Sequence, residues 1–428
     1  MFTYIIRAVA GPKPDFPVLR SLKNRNYRLF FVGQGVSLVG TWMQQIAMSW
    51  LVYRLTGSAL LLGVVGFSGQ LPSFLLAPVA GVLADRWNRH RVIVITQTLS
   101  MLQAFCLAAL VLTRSVTIWH IIPLSIFLGC VNAFDITTRQ AFVVEMLEKK
   151  EDLGNAIALN SSLVNGARII GPSVAGILIA AVGEGVCFLL NGISYMAVIA
   201  ALLMMKIRKP VMPARAKNGF MRELHEGFSF AFGFAPIKSI LLLLALVSFM
   251  GVPYQVLMPI FAGSILGGGP HTLGFLMGAS GLGALGGAVF LASRKGSPRL
   301  GKTTPMAAAI FGLGLMVFSR SRLLWLSLPV ISIAGFGMMV QMASSNMVLQ
   351  SIVDDRRRGR VMSLFTMAFM GMAPFGSLAA GGLANRIGAP STLLASGFCC
   401  VAGSLVFSSR LPSLKKELAP VYERRGVV

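Results

Sequence analysis

The sequence has little charge, few acidic residues and long stretches without any polar side chain. Only 12% of its 428 residues are charged and 14 are Asp or Glu, whereas 55% are hydrophobic. A soluble globular chain carries about 25% charged residues, so this composition excludes an ordinary soluble enzyme. Disordered chains and coiled coils also depend on abundant charge, and they are excluded for the same reason.

Grouped metal ligands are also missing from the sequence. The five cysteines and four histidines are scattered along the chain. All five cysteines lie inside apolar windows, without metal-site spacing, and we interpret them as small buried hydrophobic residues. No metal or other cofactor is therefore expected. The start, MFTYIIRAVA, is too short and too interrupted to be a signal peptide.

Long apolar runs are what the sequence has in abundance. A membrane core about 30 Å thick needs roughly 20 apolar helical residues, and twelve windows meet this requirement. The sequence therefore predicts an all-α membrane protein with twelve transmembrane helices. The windows are 29–52, 59–83, 92–112, 117–138, 155–182, 186–205, 238–263, 271–292, 303–319, 323–349, 361–384 and 389–409.

Lysine and arginine alternate strongly between the connections. The termini and every second connection hold 32 of the 37 Lys and Arg residues that lie outside the windows or, like Lys238, at a window edge, and Arg168 alone lies well within one. Because cytoplasmic loops carry the excess of Lys and Arg, both termini are predicted to be cytoplasmic in an inner (plasma) membrane. The basic residues follow this topology and form no nucleic-acid-binding patch. The net charge of +24 therefore indicates no nucleic-acid partner.

The windows divide into two halves of six around the longest connection. We predict two six-helix bundles, whose expected partners are the lipid bilayer, protons and a small-molecule substrate, with no obligate protein partner. The predicted organisation is a cytoplasmic segment 1–28, a first bundle 29–205, a cytoplasmic linker 206–237, a second bundle 238–409 and a cytoplasmic tail 410–428.

The linker and the halves carry weaker patterns. Four apolar residues from Phe220 to Phe232 recur every fourth position, which predicts an amphipathic helix on the membrane surface. Short similarities repeat between the halves at offsets of 203 to 211 residues, for example Gly63 with Gly274. Two similar halves with a substrate site between them are typical of secondary transporters.

Residues 296–303, GSPRLGKT, match the Walker A phosphate-binding pattern. A P-loop needs a preceding strand, a following helix and a surrounding α/β sheet, but here the string connects two apolar windows. Nucleotide binding is therefore not expected, and the energy for transport should come from a gradient. An ATP-dependent membrane enzyme stays open as an alternative of a different class, as does a membrane sensor that transports nothing.

A second motif, GVLADRWNRHR, follows the second window at 81–91. Asp85 suits the N-terminal dipole of another helix, and Asn88 is expected to take the left-handed backbone of a tight turn. The segment resembles the GxLADRxGRR signature of the major facilitator superfamily. The resemblance implies two six-helix bundles, alternating access and a gating role for this loop. The gating residues are then Gly81, Asp85, Arg86, Arg89 and Arg91.

Segments 132–146, 155–176 and 359–381 resemble the drug and siderophore exporter branch of that superfamily, which includes the enterobactin exporter. The resemblance implies export of a small amphiphilic compound by alternating access, commonly by proton antiport, and no enzyme activity. A lysophospholipid flippase of the same superfamily stays open as the alternative.

The fifth window carries Gly171, Pro172 and Gly176 in a segment that resembles the antiporter motif of the superfamily. Small residues at this spacing let helix backbones approach closely, and Pro172 is expected to bend the helix. Simple helix packing stays open as the explanation of this segment.

Polar residues inside the windows are the best functional candidates, because ionisable groups in a membrane are rare and face protein or water. Asp135 is the only carboxylate well inside a window, and Arg139 or Arg168 is expected to pair with it. The pair is either structural or a proton-coupling group whose partner changes during transport. A further set is expected to line a substrate cavity: Gln34, Thr41, Gln45, Asn132, Asn165, Tyr254, Gln255 and Gln341.

Overall fold

The computed structural model describes residues 17–206, 231–294 and 301–424. Each of the twelve apolar windows corresponds to a helix in these ranges, and eleven of the helices are long and apolar enough to cross a membrane. The prediction of an all-α membrane protein is confirmed. The twelve, numbered in chain order, are α1 (Arg25–Thr56), α2 (Ala59–Arg86), α3 (Arg89–Leu112), α4 (Ile118–Phe142), α5 (Leu153–Val182), α6 (Glu184–Leu203), α7 (Ala235–Ile265), α8 (Pro270–Ser293), α9 (Thr303–Arg320), α10 (Leu324–Ile352), α11 (Arg357–Ile387) and α12 (Ala389–Arg424).

The helix that does not meet the criterion for a membrane span is α1. It has 32 residues, ample length for a crossing, but it contains Gln, Ser and Thr side chains that lower its hydropathy. Several of them, including Gln34, Ser37 and Gln44, are buried against other helices. Part of its polar character is therefore directed into the protein.

The described helices form two compact units. The first contains α1, most of α2 and α3 to α6, and the second contains α7 to α12 with the start of α2. Within the second unit, a Cβ at Gly63 would lie 2.6 Å from the carbonyl oxygen of Ser377, so α2 and α11 touch along their backbones. The first unit comprises Met1–Leu55 and Ser68–Ala214, and the second comprises Thr56–Phe67 and Arg215–Val428.

The two units repeat one helix crossing. In the first, a Cβ at Gly129 of α4 would lie 2.5 Å from the carbonyl oxygen of Gly69 of α2. In the second, a Cβ at Gly335 of α10 would overlap the carbonyl oxygen of Ser280 of α8. Both crossings therefore require glycine at the same level of the helix. Three pairs on α4 and α10 stand 206 positions apart: Trp119 and Trp325, Pro123 and Pro329, and Gly129 and Gly335.

The last helix continues past its apolar window, from residue 409 to Arg424. Leu411, Leu414 and Leu418 are all buried at a spacing of three and four residues. One face of the helix therefore stays packed after the hydropathy has fallen, because an amphipathic stripe needs few apolar residues.

Two sequence patterns lie largely outside the described residues. Three of the four apolar residues of the linker pattern lie within 207–230, outside the described residues. The fourth, Phe232, is described and is exposed. Of the Walker A string, only residues 301–303 are described, and Thr303 already begins α9. The helix α8 precedes the string, and the described ranges contain no strand before it.

The segment before α1 is tied to the connection between α4 and α5. A 3₁₀ helix, Pro17–Lys23, brings Nε of Arg20 to 2.5 Å from Oδ1 of Asp152. Asn24 donates from Nδ2 to Oδ2 of the same carboxylate at 3.2 Å. Burial raises the pKa of Asp152, but hydrogen bonds from Asn24 and Arg20 and the Arg20 charge outweigh burial, so this pKa lies below its usual value.

The substitution Asp152→Asn is expected to lower Tm by a few degrees near neutral pH. Because the folded-state pKa is depressed, the carboxylate stabilises the fold above its unfolded pKa of about 3.9, and this contribution is lost as the pH falls through the folded-state pKa. Thermal unfolding at several pH values should show a difference from wild type that shrinks on acidification. Glu151→Gln is the control, because Glu151 contacts the same arginine from an exposed position and should change Tm less.

Candidate functional site

Asp135 of α4 is the centre of a buried polar cluster in the first unit, with 3% of its surface exposed. Its Oδ2 lies 2.5 Å from Nη2 of Arg139, one helical turn further along. From α3, Gln97 donates through Nε2 to Oδ1 at 2.8 Å, and the Thr96 hydroxyl donates to the same oxygen at 3.0 Å. Of the two arginines that the sequence left open, Arg139 is the partner of Asp135.

The Thr96 hydroxyl has a second acceptor at the same distance, the carbonyl oxygen of Ile93 at 3.0 Å. One hydroxyl carries one proton, so it donates to only one of the two oxygens at a time. Beside it, Oε1 of Gln97 and Oγ1 of Thr138 are buried and have no hydrogen-bond partner in the described part of the chain. The cluster therefore has unused hydrogen-bonding capacity next to its carboxylate.

A row of buried polar side chains continues from this cluster along the first unit. On α3, Thr96, Ser100 and Gln103 follow at i, i+4 and i+7, which places them on one helix face. Gln44 of α1 donates to Oε1 of Gln103 at 2.9 Å, and Asn191 of α6 donates to Oε1 of Gln44 at 2.7 Å. Sequence reasoning missed this row, although the polar spacing within an apolar window was its visible signal.

Arg168 lies apart from this cluster, on α5. Its guanidinium carbon is 5.7 Å from the centroid of the Trp42 ring of α1, which is a cation–π contact. The ring is held in place by helix packing, because a Cβ at Gly171 would lie 2.5 Å from Cβ of Trp42. Pro172 and Gly176 of the same segment are buried. Gly171 of the antiporter-like segment thus lies where α5 is in close contact with α1.

The predicted cavity residues of the first unit have three different environments. Gln34 is buried, and its Oε1 has no hydrogen-bond partner within the described ranges. Thr41 and Gln45, on the same helix, are exposed. Asn132 and Asn165 are half-buried. The stripe that the sequence presented as one face of α1 therefore divides between the interior of the unit and an open face.

The cavity residues of the second unit are mostly enclosed. Tyr254, which follows a π-helical turn of α7, is buried and shares a 2.6 Å hydrogen bond with Ser280. Gln341 is buried and donates from Nε2 to Oγ of Ser345 at 3.4 Å. Gln255 is half-buried.

Asn88 begins α3 and does not form the tight turn that its position predicted. Its backbone is extended, with φ −67° and ψ 107°, and its Oδ1 accepts the backbone N–H of Arg91 at 3.0 Å. The expectation of a left-handed backbone at Asn88 is wrong. The reason is that an N-cap satisfies a free helix N–H with a side-chain oxygen, which requires an extended residue.

The 81–91 segment also contributes to an ion pair. Nη1 of Arg89 lies 2.7 Å from Oε1 of Glu145, which follows α4. Arg86 is exposed, and a Cβ at Gly81 would meet only one methyl group, 3.8 Å away. The backbone of Asp85 lies in α2, and its side chain falls outside the described part.

Residues 18–424 match the family described as transmembrane secretion effector. The staphyloferrin A transporter of Staphylococcus aureus is 26% identical over 400 residues, covering 89% of this chain and 95% of that protein. The multidrug efflux pump Tap of Mycolicibacterium fortuitum is 27% identical over 373 residues, covering 85% and 88%.

Solved structures show the same fold at lower identity. A bacterial homologue of the human lysosomal transporter Spinster, inward-facing and occupied, aligns with a TM-score of 0.72 and 12% identity, covering 95% of this chain and 99% of that one. The nucleoside transporter NupG aligns with a TM-score of 0.66 and 14% identity, covering 90% and 98%.

The helices, their internal repeat and these comparisons define a multi-pass membrane transporter of the major facilitator type. The chain belongs to the transmembrane secretion effector family of that superfamily. The predictions of the superfamily, the fold class and a small-compound exporter that is not an enzyme are thereby confirmed.

Proposed function

We propose that this transporter exports small amphiphilic compounds, such as drugs or siderophores, from the cell in exchange for protons. The observation that carries the proposal is the ion pair of the buried Asp135 with the half-buried Arg139 in the first unit. In an alternating-access cycle, Asp135 takes up a proton from the outer side and releases it inside, and the substrate leaves in the opposite direction.

The internal repeat supports a functional reason for this charged pair. The positions 206 residues later are Gln341 and Ser345, which form a neutral contact at the same level of α10. The second unit therefore builds the same helix crossing without an ion pair. Because a buried ion pair is weak evidence for stability, packing alone gives little reason to keep Asp135 and Arg139 charged.

The surroundings of Asp135 suit a group that gains and loses a proton. When Asp135 is ionised, Thr96 and Gln97 both donate to Oδ1. When it is protonated, the Thr96 hydroxyl can donate to the carbonyl oxygen of Ile93 instead and accept a hydrogen bond from the O–H of the carboxyl group. The unpartnered Oε1 of Gln97 is a second acceptor close by. In both states the Asp135 carboxyl group and the Thr96 hydroxyl keep hydrogen-bond partners, so the change of protonation does not add the cost of leaving either group unpaired.

The substrate class rests on the relatives named above, one of them a siderophore transporter by name and the other a multidrug efflux pump. The test is flux in proteoliposomes that contain the purified full-length protein, with a labelled macrolide, a siderophore and a fluorescent lysophospholipid. We expect a pH gradient to accelerate transport of the first or second probe. Movement of the lysophospholipid alone, without dependence on the gradient, would instead identify a flippase.

The orientation in the inner membrane is the second part of the proposal. Since 32 of the 37 Lys and Arg residues outside the windows or at a window edge lie on one side, the termini and the 206–237 linker are expected to be cytoplasmic. A single cysteine at Gly268, in a background without the five native cysteines, should react with an impermeant maleimide added to intact cells. Reaction only after the membrane is permeabilised would reverse the orientation.

The 81–91 segment is proposed to control which side of the transporter is open. The pair of Arg89 and Glu145 holds the start of α3 to the short turn that follows α4. Asp85 is then expected to stabilise one conformational state through a helix N-terminus, a contact worth roughly 0.3 to 2 kcal/mol.

A further inference from the structure

An arginine in the middle of a membrane span must have protein partners or water around it, because an unpaired charge in hydrocarbon is costly. Arg168 is the sixteenth residue of the 30-residue helix α5. At 1.5 Å per residue, it lies about 22 Å from either end of the helix. Among the described residues it forms no ion pair and no side-chain hydrogen bond, and its contact is the Trp42 ring.

The face around Arg168 is open and carries exposed polar side chains beside exposed apolar ones such as Val164. Thr41 and Gln45 lie on either side of Trp42 along α1, and both are exposed. Ser161, two turns before Arg168 on α5, is exposed as well. Polar groups at this depth in a membrane protein face water or the protein interior. The exposed polar side chains of α1 and α5 therefore line water and not lipid.

We propose that this α1–α5 face is a binding site for amphiphiles that carry a carboxylate. The inference rests on the proposed export function and specifies the substrate class. A guanidinium offers two parallel N–H donors to a carboxylate, and the indole ring of Trp42 offers an apolar surface beside it. Asp135 does not compete for Arg168, because its own partner is Arg139 at 2.5 Å.

Helix packing fixes the position of Trp42 in the proposed site. Gly171 leaves no room between α5 and the backbone of Trp42, with a built Cβ 2.5 Å from Cβ of Trp42 and 3.0 Å from the carbonyl oxygen of Val39. The ring is therefore positioned by helix packing, and the ring in turn supports the guanidinium of Arg168. A site that is already ordered loses less entropy when it binds.

The test uses two fluorescent probes with the same apolar body, dansylaminoundecanoate and its primary amide. Binding to the full-length protein in nanodiscs is measured at neutral pH without a gradient. The carboxylate is expected to bind about tenfold or more tightly than the amide, as a charged hydrogen bond implies. Arg168→Gln should remove this preference, and Arg168→Lys should keep part of it. Trp42→Leu should weaken binding of both probes.

Arg386→Gln is the control, because Arg386 is an exposed arginine at the end of α11. It should leave both affinities unchanged. Equal affinities for acid and amide in the wild type, or a preference that survives in Arg168→Gln, would overturn the site. Since no gradient is applied, a failure of proton coupling leaves this result intact, and a missing carboxylate preference leaves pH-driven flux of neutral drugs intact.

Discussion

The substitution Asp135→Asn is expected to make export independent of the pH gradient, so that the rates with and without the gradient become equal. An amide cannot carry a proton at any pH of interest, and no other carboxylate lies well inside an apolar window. Substrate binding and downhill exchange should remain measurable, because Asp135 is buried with Arg139 and is not part of the open face of α1 and α5. Flux in proteoliposomes, with counterflow exchange as the second measurement, separates these effects.

Stability has to be controlled in that experiment, because removing one partner of a buried ion pair costs about 3–5 kcal/mol. The double variant Asp135→Gln with Arg139→Ser reproduces the neutral residues found at Gln341 and Ser345, so it should fold and exchange substrate without coupling. Glu148→Gln, an exposed acid, should keep full coupling. Uphill transport by Asp135→Asn that still depends on external pH would reduce Asp135 to a packing residue.

The substitution Gly283→Ala is expected to destabilise the second unit strongly, although it adds one methyl group. A Cβ at Gly283 of α8 would overlap the carbonyl oxygen of Ser332 and lie 3.0 Å from the backbone nitrogen of Phe336 in α10. Backbone atoms cannot turn away as a side chain can, so the two helices must separate. Overpacking of this kind costs about 1–3 kcal/mol, and a Tm several degrees lower should result.

The matched control lies one turn further along the same helix. A Cβ at Gly286 has its nearest neighbour, Cδ2 of Phe336, 3.9 Å away. Gly286→Ala should therefore leave Tm unchanged or raise it, because alanine is favoured over glycine in a helix by about 1 kcal/mol. Thermal unfolding of both variants under identical conditions makes the comparison. If the two variants melt together, close contact between α8 and α10 is not what requires Gly283.

The span pattern was readable from the sequence because it depends on local properties. Hydropathy over about 20 residues decides whether a segment can cross a membrane, and all twelve windows correspond to helices of the structure. The end of α12 was not readable in this way. Its last turns are polar on average, and they stay helical because Leu411, Leu414 and Leu418 pack against other helices.

The backbone at Asn88 shows a different kind of limit. Residue type correctly indicated an interruption between two helices, and Asn suits both a left-handed turn and an N-cap. The choice depends on where the next helix begins. Because α3 begins at Arg89, the side chain of Asn88 caps it, and the backbone is extended.

What the sequence alone determined is the class of the molecule, an all-α membrane transporter, with Asp135 and Arg168 as the exceptional charges. What only the tertiary structure decided is the partner of each charge. Asp135 meets Arg139, Thr96 and Gln97, whereas Arg168 rests on Trp42. The physical reason is that hydropathy and helical period are properties of one segment. A contact between two helices depends on the rotation and register of both, which packing of the whole unit sets.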